Sequence, residues 1–131
     1  MNHWLEIGQA TSADKLPKIY YVNWFRKDAK GKWLWPGYGE NSRVLKWIVD
    51  RIEGRATGTK TAIGVLPAAG ELDVDGLDLP AEDLELLTSV DTEIWKQEAG
   101  LIPEYFAQFG DRLPKALAEE HARLVERLEQ P

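Results

Sequence analysis

The rhythm of apolar and polar positions changes several times along this chain, and each change predicts an element. Lys18 to Phe25 (Lys-Ile-Tyr-Tyr-Val-Asn-Trp-Phe) is rich in β-branched and aromatic residues between Pro17 and a charged turn at 26–32, which predicts a buried strand. Trp33-Leu34-Trp35 predicts a short return strand, after which Pro36, Gly37 and Gly39 enforce a loop. From Asn41 the period turns helical. Val44, Leu45, Ile48, Val49 and Ile52 recur on one face, Asn41 or Ser42 is placed to cap the start, and Gly54 sits where a C-terminal cap belongs.

Residues 55–80, rich in Gly, Ala, Thr and Asp, predict loops with one short strand at Ile63–Leu66. Pro80 opens a small helix through Leu87. Ser89 or Asp91 caps a longer helix carrying Ile94, Trp95, Leu101 and Tyr105, which Gly100 and Pro103 are expected to bend or split before Gly110. Pro114 starts a final helix whose stripe of Leu117, His121, Leu124 and Leu128 suits docking on the body of the protein better than a long coiled coil. There is no internal repeat. The expected fold class is α+β with helix predominating, a short strand or hairpin followed by several helices, organised as a block at 18–54 and a helical part at 80–130.

Composition narrows the setting. At 131 residues the chain has the size of one ordinary domain, long enough to bury a core without staples. The absence of cysteine excludes disulfides and thiolate metal sites and favours a reducing, cytoplasmic home. No apolar run approaches membrane-spanning length, and the N-terminus lacks the features of a signal peptide, so a soluble chain without a membrane partner is expected. The net charge of −6 conceals an asymmetry: residues 1–62 hold 11 Lys/Arg against 6 Asp/Glu, net +5, and residues 63–131 hold 5 against 16, net −11. The aromatic segment therefore lies in the basic half, which suits a ligand carrying phosphate as well as it suits a solvated basic face.

Candidate chemistry concentrates in that segment. Trp24, Phe25, Trp33, Trp35 and Tyr38 offer flat faces on which a base can stack, a contact worth about 1–3 kcal/mol per base and blind to its identity. Trp24 and Phe25 are adjacent in a predicted strand, so at most one of them lines a given pocket. Such rings are also ordinary core residues. Asn41 adds an amide with donors and an acceptor, able to tell guanine from adenine. Elsewhere the signals fade. Gly58-Thr-Lys-Thr61 lacks the glycine spacing of a phosphate-binding P-loop and reads as a polar loop. Asp73, Asp75 and Asp78 lack the register of a calcium loop. His3 and His121 are the only histidines, with no zinc spacing and no nucleophile elbow nearby, so no catalytic or metal residue is assigned.

At these residues the chain resembles the C-terminal part of the GTP-dependent phosphoenolpyruvate carboxykinases. The matching text is Leu-Pro-Lys-Ile at 16–19, Val-Asn-Trp-Phe-Arg-Lys-Asp at 22–28 and Leu-Trp-Pro-Gly-Tyr-Gly-Glu-Asn-Ser-Arg-Val-Leu at 34–45, with weaker similarity at both ends. The resemblance implies a guanine pocket: the base between rings at Phe25 and Tyr38, a third aromatic edge at Trp33, the amide of Asn41 reading the base, and Tyr38-Gly39-Glu40-Asn41 as the nucleotide-binding signature. The family commonly carries Phe at the positions of Trp33 and Tyr38, and both replacements keep a ring.

Such enzymes decarboxylate oxaloacetate and transfer the γ-phosphoryl of GTP to the enolate, giving phosphoenolpyruvate, carbon dioxide and GDP in gluconeogenesis, with Mn2+ and Mg2+ in support. The resemblance also implies that the phosphate-binding loop, the metal ligands and the substrate arginines lie upstream of the matched region. On that basis the chain is expected to be a C-terminal fragment beginning at an added Met1, inactive alone, whose partners are GTP or GDP and, through the missing regions, oxaloacetate and phosphoenolpyruvate. Two alternatives remain. One is a stand-alone binder of single-stranded nucleic acid, disfavoured by the acidic overall charge. The other is a docking module whose exposed apolar faces promote self-association.

Overall fold

The computed structural model describes residues 1–130. Helices predominate, and the one sheet among the described residues is a two-stranded antiparallel hairpin. The chain divides into two compact units, one formed by Ile19–Ser89 and the other by Met1–Lys18 with the chain from Val90 onward.

In the unit of residues 19–89, the extended stretch after Pro17 keeps the two-residue rhythm of a strand without becoming one. Tyr20, Val22 and Trp24 are partly buried while Tyr21, Asn23 and Phe25 face solvent. The strand expected at 18–25 is thus corrected to unpaired extended chain. The cause is local: Asn23 Oδ1 accepts the N–H of Phe25 at 2.9 Å, turning the backbone at Trp24-Phe25 and withdrawing a donor from any ladder. The expected return strand shrinks to one antiparallel bridge, Lys27 with Trp33.

Helix α2 (Asn41–Ile52) ends as its sequence predicts. Gly54 takes φ +77°, its N–H reaches Arg51 O at 3.4 Å, and Arg55 N–H reaches Asp50 O at 2.8 Å, the paired bonds of a Schellman cap. Neither Asn41 nor Ser42 caps its start, because the Asn41 side chain is engaged elsewhere. Trp47 on α2 is 5% exposed and meets Tyr20 edge-on at 6.3 Å, and Leu34, Trp35 and Ala56 are the other buried apolar residues of this unit. The hairpin follows as β1 (Thr59–Thr61) and β2 (Gly64–Leu66), so the strand expected at 63–66 exists and has a polar partner that propensity did not mark. Helix α3 (Ala81–Thr88) closes the unit.

The other unit holds α1 (Asn2–Gln9), α4 (Thr92–Ala107) and α5 (Lys115–Glu129). Asp91 Oδ1 caps α4 by accepting the N–H groups of Glu93 and Ile94. Of the bend or split expected at Gly100 and Pro103, the split does not occur: α4 is one continuous helix with Pro103 inside it. A proline at 103 leaves the carbonyl of Ala99, four residues earlier, without its helical donor. His121 on α5 supplies the replacement, with Nε2 2.8 Å from Ala99 O. A carbonyl only accepts, so Nε2 carries the proton. The α5 stripe packs inward as predicted: Leu117, His121 and Leu124 are partly buried and Leu128 is fully so.

Candidate functional site

The loop at 28–32 is built by one carboxylate. Asp28 Oδ1 accepts the N–H groups of Lys30 at 2.8 Å and Lys32 at 2.9 Å, and Gly31 closes the turn by donating to Asp28 O. With the bridge from Lys27 to Trp33 and the bond from Leu34 N–H to Arg26 O, this turn brings Phe25 and Trp33 together. Their rings meet edge-to-face with centroids 5.7 Å apart at 68°. The Lys27 ammonium lies 4.0 Å from the centroid of Trp33, a cation–π contact that keeps positive charge at the ring face. Arg26, alternating to the other side, donates to Ser89 O and Oγ and to Leu87 O. One guanidinium thereby anchors the segment at the end of α3.

A second group forms where the chain enters α2. Gly37 takes φ +122°, a conformation open to glycine, and sets Tyr38-Gly39-Glu40 into a single 3-10 turn leading directly to Asn41. Tyr38 is 93% exposed and makes no ring contact with Phe25 or Trp33. Glu40 accepts from Arg43 Nε at 2.7 Å, which raises the pKa of the guanidinium, and Arg43 Nη1 also reaches Asp73. Asn41 Oδ1 accepts the indole N–H of Trp35 at 2.9 Å.

The predicted site residues thus fall into two clusters, Phe25 with Trp33, and Tyr38, Gly39, Glu40 with Asn41. Of the five candidate rings, Phe25, Trp33 and Tyr38 are exposed, whereas Trp35 is a core residue at 7% exposure and Trp24 is half-buried. Trp35 therefore presents no face to a base. Its role is the bond to Asn41, and the sequence signal for that role was only its place six residues before an amide.

Of Gly58-Thr-Lys-Thr61, the last three residues form β1, and the main-chain N–H of Gly58 is already taken by the chain itself. The carboxylate of Glu71 accepts from the main-chain N–H groups of Thr57, Gly58 and Ala68, from the Thr57 hydroxyl, and from Trp47 Nε1 at 3.0 Å. Backbone amides that converge on an anion elsewhere converge here on an internal one. Those donors, led by the Trp47 indole, hold the Glu71 pKa down at about 2. In the other unit, a shallow apolar cleft of about 310 Å3 lies beside Phe106, Leu113 and His121 and includes none of the predicted site residues.

The family model described as the phosphoenolpyruvate carboxykinase C-terminal P-loop domain matches residues 1–127. A phosphoenolpyruvate carboxykinase [GTP] of Neocallimastix frontalis is 50% identical over 127 residues, covering 96% of this chain and 21% of that protein. The protein of the same name from Arthrobacter sp. (strain FB24) is 45% identical over 98% of this chain and 21% of its own length. That from Treponema pallidum is 48% identical over 90% and 19%. The chain thus spans about a fifth of the length of these curated relatives.

Proposed function

The chain belongs to the GTP-dependent phosphoenolpyruvate carboxykinase family, and from this we propose that residues 19–54 supply the guanine end of such an enzyme's nucleotide site. Phe25 and Tyr38 take the two faces of the base, Trp33 its edge, and Asn41 its hydrogen-bonding edge, with the main chain of Gly39 and Glu40 beside it. The observation that carries this reading is the division of the aromatics. In one short segment, Leu34 and Trp35 are buried at 3% and 7% exposure while the three rings assigned to the base face solvent. Rings of that size left outside a core are available for stacking. Lys27 at the face of Trp33 adds charge of the sign a nucleotide phosphate attracts.

The reaction served is the conversion of oxaloacetate and GTP to phosphoenolpyruvate, carbon dioxide and GDP, by a protein of which this chain forms the C-terminal part. The chain alone is inferred to be inactive. The Mn2+ and Mg2+ that the family resemblance implies do not fit it, since among the described residues no three His, Asp or Glu side chains gather to hold a metal. Two stacked faces and an amide contact, less the cost of immobilising the ligand, leave about −4 to −6 kcal/mol, a Kd between millimolar and tens of micromolar. Saturable quenching of tryptophan fluorescence by GDP, weaker with ADP and lost in Asn41→Ala, is the expected result. Equal responses to GDP and ADP in wild type would refute the guanine assignment.

A docking role is supported by a separate observation. Leu45, Val49 and Ile52 form a stripe along α2 with exposures of 55%, 46% and 58%. We infer that this face is covered in the longer enzyme and drives self-association of the isolated chain. Light scattering is expected to show mass rising with concentration, and Val49→Glu is expected to suppress the rise. A clean monomer at high concentration would contradict this.

A further inference from the structure

The hydrogen bond between Trp35 and Asn41 decides which way the amide points. An indole nitrogen only donates, and of the two amide ends only Oδ1 accepts, so the 2.9 Å bond admits one orientation. Both partners are held. Trp35 is a core ring, and Asn41 opens α2 with its backbone N–H bonded to Tyr38 O. No group among the described residues bonds Nδ2, which leaves two donors for a ligand. Rotating the amide by half a turn would set Nδ2 against the indole N–H, donor against donor.

That orientation matters for a base fixed in position by stacking. Guanine offers an acceptor, O6, beside the N1–H donor, and adenine offers the reverse, the N6 donor beside the N1 acceptor. The amide as held gives Nδ2–H to O6, and the second lone pair of Oδ1 is left for N1–H. Adenine requires the amide turned over. We propose that Trp35 is a positioning residue for base selection, locking the Asn41 amide in the orientation that favours guanine and disfavours adenine. The proposal rests on the guanine reading above and adds to it the residue that enforces the choice.

The test is an NMR titration of the 15N-labelled 131-residue chain with GDP and with ADP, whose phosphates are the same, in wild type, Trp35→Phe and Asn41→Ala. Trp35→Phe keeps a ring in the core and deletes the N–H. Its preference for GDP is expected to fall about tenfold, through gained ADP affinity as well as lost GDP affinity, because the amide is then free to turn. Asn41→Ala is expected to lose the preference mainly through lost GDP affinity, because no amide remains to bond either base. A wild-type chain without preference for GDP overturns both the guanine reading and the role of Trp35. A preference that Asn41→Ala abolishes and Trp35→Phe leaves intact overturns the role of Trp35 alone. Should Trp35→Phe fail to fold, the wild-type indole N–H resonance of Trp35 decides. It is expected to stay downfield and protected from exchange with and without GDP, and its release on GDP binding would overturn the proposal.

Discussion

Glu71→Gln is expected to lower the Tm of the chain by roughly 5–10 °C, more than any exchange at the exposed ion pairs. The carboxylate gathers donors on both oxygens. Oε1 takes the N–H groups of Thr57 and Gly58 and the Thr57 hydroxyl, and Oε2 takes Trp47 Nε1, Ala68 N–H and a share of Gly58 N–H. A glutamine keeps the shape, yet whichever way it is turned its NH2 faces donors and leaves at least two of them without an acceptor. The bonds tie α2, the residues just before β1 and the segment after β2, so the loss reaches several parts of the unit.

The effect depends on pH in a way that separates charge from shape. The Glu71 pKa is depressed from 4.5 to about 2 in the folded chain, so its ionised form contributes fully above the unfolded value and is lost as pH falls through about 2. The Tm difference between wild type and Glu71→Gln should therefore be constant from neutral pH to about 5 and shrink steadily below that. Taking the difference cancels the general loss of stability on protonating other carboxylates. A difference that stays level down to pH 2 would mean that the neutral acid serves the donors as well as the anion does, and that the charge is incidental.

What the sequence made legible, and what it concealed, divides by the range of the interaction. The cap at Gly54, the cap at Asp91 (one of two candidates with Ser89), the opening at Pro114 and the inward stripe of α5 depend on residues within one or two turns, and each is legible in the sequence. The strand at 18–25 was misread because β propensity reports fitness for a half-buried pleated surface, a condition the alternating exposure of Tyr20 to Phe25 fulfils without a partner strand. Strand β1 was missed for the opposite reason, being three polar residues whose pairing comes from the turn they flank. Helix α1 has no side-chain cap to mark its start.

At the candidate site the residue types were readable and their division of labour was not. A strand would put Trp33 and Trp35, two residues apart, on the same face; only Trp33 is bridged, and the chain leaves strand geometry after it, so that Trp33 is exposed while Leu34 and Trp35 are both buried. Glu71 was unreadable for a related reason. Its partners span residues 47 to 68, and a lone acid in a glycine-rich loop looks like any solvated charge until the chain folds around it.

The bond between His121 and Ala99 was equally hidden, lying 22 residues apart, and it yields the second large expected effect. His121→Leu is expected to cost about 1–3 kcal/mol, because it strands the carbonyl that Pro103 already deprives of its helical donor. Combining it with a change at Pro103 is the sharper test. Pro103→Ala restores an N–H four residues beyond Ala99, so the carbonyl regains a donor within α4 and no longer relies on α5. In that background His121→Leu should cost less by about 1 kcal/mol or more, a coupling that urea melts of the four chains in a double-mutant cycle can resolve. The ring contact of His121 with Phe106, at 6.4 Å between centroids, is lost in both backgrounds and cancels from the cycle. Equal costs would mean that His121 stabilises α5 through packing alone. A coupling of the expected sign would identify the histidine as the donor that allows a proline to sit inside an unbroken helix.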